Sequence, residues 1–169
     1  KSNKTTSENK NDYLWPDENN TELAYTYAGG IPRVNSPILL ELDPSGNIAQ
    51  KAEKLFELVE LGNIPAPKDK DRRFKQRIET YASARISLKK WKKLKETEYK
   101  EDSKELIAEI VRSKGFFSVW LEVFKDEPEI KNMLFDIFPG TETRFFDADG
   151  NVRPILHVEE LEAATEAAT

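Results

Sequence analysis

Apolar positions recur at three- and four-residue intervals through the middle of this chain and alternate only near its two ends. From Asn47 onward, Ile48, Ala52, Leu55, Phe56, Leu58 and Val59 line one helical face that Gly62 closes. Ile64-Pro65-Ala66-Pro67 reads as a stiff linker. A second helix is predicted over Asp69 to Ala82, with Phe74, Ile78 and Tyr81 aligned. After a break at Ser83 to Ile86, Ser87 is placed to cap a third helix, which runs through Leu88, Trp91 and Leu94 toward Tyr99. Asp102 or Ser103 caps a fourth, with Leu106, Ile107, Ile110 and Val111 inward and Gly115 at its end. Phe116 to Phe124 makes a broad apolar stripe. Pro128 suits the first turn of the next helix, which Phe138-Pro139-Gly140 stops.

The ends read differently. Lys1 to Asn11 is polar and free of aromatic residues, the composition of a disordered or extended arm. Tyr13, Leu14 and Trp15 anchor it. Leu23 to Tyr27 alternates like a strand, followed by turn residues Gly29, Gly30 and Pro32. Pro37 to Leu42 is a second strand candidate, closed by the turn Asp43-Pro44-Ser45-Gly46. Arg144 to Ile155 has two apolar runs around Asp147-Ala148-Asp149-Gly150-Asn151, which reads as a hairpin. Glu159 to Thr169 is an acidic, Ala-rich helix former. The fold expected is mainly α: a bundle-like domain with five or six helices between Ile48 and Phe138, containing a helix-turn-helix, and with short strands or hairpins near the N- and C-terminal ends. Residues 1–46 form an extended, partly disordered arm with short strands. Residues 47–158 form the helical domain and 159–169 the acidic tail.

Charge changes the picture at one place. Residues 68–95 hold 12 Lys and Arg against three acids, inside a chain whose net charge is −5. A basic block in an acidic protein predicts a surface that meets a polyanion. Two helical patterns flanking the break at Ser83 to Ile86 have the layout of a helix-turn-helix, whose second helix enters the major groove. The residues expected to reach nucleic acid are Arg72, Arg73, Lys75, Arg77, Arg85, Lys89, Lys90, Lys92, Lys93 and Lys95. The second helix is rich in Lys and poor in Arg, Asn and Gln, the types that read base edges in pairs of hydrogen bonds. Such a composition favours phosphate contact over sequence reading. The alternatives are a protein-interaction or assembly module whose basic face meets an acidic partner or another copy, and a solvated face paired with Glu96, Glu98, Glu101 and Asp102. No enzyme activity and no cofactor are expected.

Other totals exclude more than they identify. With no Cys there are no disulfides, thiolate metal sites or cysteine nucleophiles, and any redox compartment is compatible. No apolar run approaches the roughly 20 residues of a membrane span. Lys1 in place of Met reads as a processed, trimmed or partial chain. A calcium loop with Gly150 at its sixth position would need acids where Phe145 and Leu156 stand. His157 is the lone histidine, with no cluster to make it a ligand or a base. Pro16-Asp17 with Glu98-Tyr99-Lys100 or Glu129-Ile130-Lys131 matches a metal-dependent nuclease pattern, but both triplets fall in predicted helices where strand edges are needed. Trp91 and Trp120 sit on apolar helix faces, which fits core packing better than base stacking.

Overall fold

The computed structural model describes residues 10–62, 64, 68 and 72–169. The arm predicted over Lys1 to Asn11 lies almost wholly outside them, as does most of the Ile64 to Pro67 linker. The described chain is mainly helical, with one two-stranded sheet. It divides into two units.

The first unit comprises residues 1–25, 34–62 and 154–169. It holds helices α1 (Thr21–Ala24), α2 (Ser36–Leu42), α3 (Asn47–Leu58) and α8 (Val158–Ala167). Pro37 to Leu42, expected as a strand, is α2. Pro37 sits in the first turn, where its missing N–H costs nothing, and the Leu-rich run that follows is a good helix former. The predicted turn at Asp43 also caps α3: Oδ2 accepts the Ile48 N–H at 3.0 Å and Oδ1 accepts the Ser45 N–H at 3.1 Å. The hydrogen bond from the Ser45 side chain, then that from Ile48, holds the carboxyl below its ordinary pKa. Tyr25 is buried against Phe56 and donates its hydroxyl proton to the Ala52 carbonyl at 2.8 Å. Burial foremost, then Glu53, pushes its phenol up.

Residues far apart in sequence are joined in this unit by Asn19 and Asn20. The Asn20 N–H donates to the Leu156 carbonyl at 2.7 Å, while its Oδ1 caps α1 by accepting from Leu23. The Asn19 side chain accepts the Trp15 N–H through Oδ1, so its Nδ2 must face His157 Nδ1, 2.9 Å away. An amide nitrogen only donates, so Nδ1 accepts and the neutral ring carries its proton on Nε2. His157 is thus a structural tie at the start of α8.

The second unit comprises residues 26–33 and 63–153. It holds most of the hairpin formed by β1 (Tyr25–Ala28) and β2 (Ile31–Val34). It also holds α4 (Arg73–Leu94), α5 (Lys100–Lys114), α6 (Phe117–Val123) and α7 (Pro128–Ile137). Gly29 and Gly30 turn the hairpin with φ of 61° and 82°, the pairing a tight two-residue turn demands. A Cβ on Gly30 would lie 2.9 Å from Tyr81 Cβ, so only glycine lets the turn rest on α4. Helix α4 packs on α5 and α6, while α7 packs on both of those. Their core includes Trp91, Ile107, Val111, Trp120, Phe124, Ile130 and Leu134, all at most 2% exposed. Phe117, Phe135, Phe138 and Phe146 cluster around the end of α7 with ring centroids 4.8 to 6.2 Å apart. The hairpin expected over Arg144 to Ile155 reduces to its turn and one antiparallel bridge, Phe146 to Val152.

The helix-turn-helix expected within residues 68–95 does not form. Arg73 to Leu94 is one 22-residue helix with no interruption at Ser83 to Ile86. No Gly or Pro occurs between Phe74 and Lys95, and Ala82, Ala84 and Arg85 favour helix. Ala84 and Ser87 turn inward and are buried. Ser87 is therefore an interior residue of α4, and no separate recognition helix begins there.

Candidate functional site

The buried residues of α4 are Arg77, Thr80, Ala84, Ser87 and Trp91. Their spacing of three and four residues marks one stripe along the helix. At about 100° per residue, Lys75, Arg85, Lys89, Lys90, Lys92 and Lys93 all fall within about 80° of the opposite direction. All six are exposed. Lys75 is in an i,i+4 pair with Glu79 at 3.7 Å. Among the described residues no ion pair involves Arg85, Lys89, Lys90, Lys92 or Lys93. The acids immediately downstream therefore do not neutralise them.

The remaining predicted residues separate from that set. Arg72 and Arg73 are exposed at the N-terminal end of α4. Arg77 is 6% exposed, with its guanidinium carbon 5.9 Å from the centroid of the Phe116 ring. A cation over an aromatic face is attracted by the ring quadrupole. Arg77 thus serves the packing of its own unit. Lys95 reaches inward: its Nζ lies 3.0 Å from Glu127 Oε2, an oxygen that also accepts the Trp91 indole N–H at 2.8 Å. Neither residue belongs to the outward basic face.

A groove of 540 Å³ between α4 and α5 has no counterpart in the sequence reading. Its walls are apolar: Ile86 and Leu94 from α4, Tyr99, Leu106 and Ile110 from α5 and its approach. Ile86, Tyr99 and Leu106 are 59%, 55% and 47% exposed. The floor is low because α4 and α5 present Ser87 and Ser103 where a filled bundle would place larger side chains, and both serines are buried. The sequence did carry a signal. Ile86 is a lone large apolar residue on a lysine-rich face, and it follows Ser83 by three residues.

Sites set aside on sequence have structural employment. Asp147 Oδ1 accepts the N–H groups of Asp149 and Asn151, each at 2.9 Å, so its carboxylate closes its own turn. Those backbone bonds, with Asn151 first, hold it below its ordinary pKa. Lys131, 2% exposed, donates to Asn151 Oδ1 at 2.6 Å, and burial lowers its pKa against the opposing pull of Asp147 and Asp149. Glu129 accepts from Lys100 at 2.9 Å and Lys104 at 3.4 Å, tying α7 to α5. Neither nuclease triplet therefore presents a free carboxylate–lysine pair. Among the described residues no group of three His, Asp or Glu could hold a metal ion, and no helix is long and apolar enough to cross a membrane. No protein-family model, curated protein or solved structure matches the chain.

Proposed function

We propose that the protein is a non-enzymatic binding module that lays the outward face of α4 along the phosphate backbone of a nucleic acid. One observation carries the reading: Arg85, Lys89, Lys90, Lys92 and Lys93 share an exposed face and make no ion pair among the described residues. From Arg85 to Lys93 the helix rises about 12 Å, a short footprint that spans a few phosphates. Each neutralised phosphate adds roughly −0.9 to the slope of log affinity against log salt, so five contacts bound it near −4.5. The face holds no Asn or Gln and a single Arg, so binding is indifferent to base sequence.

The test is fluorescence anisotropy with labelled duplex and single-stranded DNA, at several salt concentrations. The native protein is compared with an Arg85→Glu/Lys89→Glu/Lys92→Glu variant. Native binding with a slope between about −2.5 and −4.5, abolished in the variant, supports the reading. No binding at low salt sinks it. Equal affinity for poly-glutamate also overturns it and assigns the face to acidic proteins.

A further inference from the structure

We infer that His157 is an acid-operated latch between α8 and residues 15–19, tied to Asn19 when neutral and turned toward carboxylates when charged. It belongs to the first unit and does not depend on the nucleic-acid reading. Asn19 is pinned at both ends. Its backbone N–H donates to the Trp15 carbonyl at 2.7 Å, and its Oδ1 accepts the Trp15 N–H, also at 2.7 Å. Reversing the amide would set two N–H groups against each other, so Nδ2 alone faces His157 Nδ1. The neutral imidazole accepts there. An imidazolium carries an N–H on both ring nitrogens and no free lone pair. One proton therefore turns this 2.9 Å hydrogen bond into two opposed donors. Histidine is the side chain that ordinarily makes this change between about pH 8 and 5, and the chain has a single one.

The charged ring has other partners at hand. His157 lines a cavity of 410 Å³ whose walls also carry Tyr13 and the carboxylates of Asp17, Glu18 and Glu159, against one ammonium, Lys51. Asp17 and Glu159 are exposed and join no ion pair among the described residues. Glu160 faces the backbone side of His157, its Oε2 accepting the His157 N–H at 3.5 Å. Protonation thus exchanges an amide donor for carboxylate acceptors, the form of switch that a single charge change operates. The release is local. The Asn20 N–H still meets the Leu156 carbonyl at 2.7 Å, and the Val158 N–H the Glu18 carbonyl at 3.1 Å, since neither bond involves the ring. The two strands of chain stay side by side while the Asn19 side chain and the first turn of α8 uncouple. Leu161 is the one buried residue of α8, so little other packing keeps that turn in register.

The test is NMR of the native chain and of a His157→Asn variant between about pH 8 and 5.5, the range in which histidine titrates. Asparagine offers a side-chain oxygen to the Asn19 amide, caps a helix well and does not titrate. The His157 ring resonances report protonation, and the Asn19 side-chain amide protons report the tie. In the native chain, their exchange with water, corrected for its intrinsic pH dependence, rises about fivefold or more as the ring charges, as the loss of one hydrogen bond requires. The backbone amides of Val158 to Glu160 shift with the same midpoint. In His157→Asn both stay flat. Asn19 protection that holds while the ring titrates overturns the proposal. So does a ring that stays neutral throughout the range, or an equal loss of Asn19 protection in His157→Asn.

Discussion

Replacing Glu127 by alanine removes a buried carboxylate that joins the inner side of α4 to the start of α7. Trp91 is 1% exposed and Glu127 7%, so the indole N–H loses its acceptor where water has little access. A buried donor left without a partner costs about 1–3 kcal/mol. The one methylene lost from Glu127, Cγ, adds up to about 0.8 kcal/mol through lost burial. Lys95 contributes less, because its side chain is 34% exposed and its ammonium can return to water. The expected loss is about 2–4 kcal/mol. Glu127→Gln keeps an oxygen for Trp91 and should cost only about 1 kcal/mol, the difference between a charged and a neutral acceptor. Urea unfolding followed by tryptophan fluorescence measures both, since Trp91 and Trp120 belong to this unit; an unchanged m-value keeps the comparison valid. A Glu127→Ala protein within about 0.5 kcal/mol of native, the scatter of neutral surface changes, refutes the reasoning. Lys95→Met tests the same geometry from the other side. It should lower stability modestly and leave DNA affinity and its salt slope unchanged. If it weakens DNA binding as much as Lys92→Met does, Lys95 belongs to the outward face after all.

Two further outcomes follow from the second unit. The Lys100 hydrogen bond foremost, then Lys104, holds the Glu129 carboxyl below its ordinary pKa. A depressed folded-state value means stability that is fully present above the unfolded value, near 4.3, and is lost as pH falls through the folded one. Glu129→Gln should therefore flatten the fall in stability on acidification below that point, and parallel acid-unfolding curves for the two proteins would contradict it. Gly150 has φ of 74°, and a Cβ there would lie 2.9 Å from Lys131 Cβ. Gly150→Ala should cost about 1–3 kcal/mol in the same urea assay, and a neutral substitution would show that the turn can shift.

Where helix boundaries rest on local chemistry, they were legible. Gly115 after α5, Pro128 opening α7 and Phe138-Pro139-Gly140 closing it all act through φ restriction or a missing N–H, which a sequence displays directly. The mainly helical fold followed from those and from periodicity. Pro37 to Leu42 was not legible as α2, because a six-residue stretch of apolar residues broken only by Glu41 is too short for a period that separates strand from helix. The break expected at Ser83 to Ile86 rested on serines alone, and serine without Gly or Pro is too weak a breaker to stop a helix packed on both α5 and α6. Arg77 and Lys95 look like their lysine-rich neighbours in sequence. What removes them from the outward face is Phe116 and Glu127, residues that approach only once α6 and α7 have packed. The groove escaped for the converse reason: it exists because Ser87 and Ser103 fail to fill space, and a missing volume leaves little periodic trace.

The circumference of α4 is divided between an inward packing stripe and an exposed arc of cations, and the division bounds what the proposed phosphate contact can do. Its inward stripe is fixed by Trp91 and Ala84, which leaves the cations on the remaining arc. Lys90 and Lys93 lie toward the α5 side of that arc and Arg85, Lys89 and Lys92 toward the other. The exposed acids Asp102, Glu105 and Glu109 on α5 would oppose a polyanion, so the proposed footprint stays on α4. Only a handful of contacts is therefore expected, a weak and salt-sensitive mode without base reading. A salt slope steeper than about −4.5 would mean that cations beyond this arc take part.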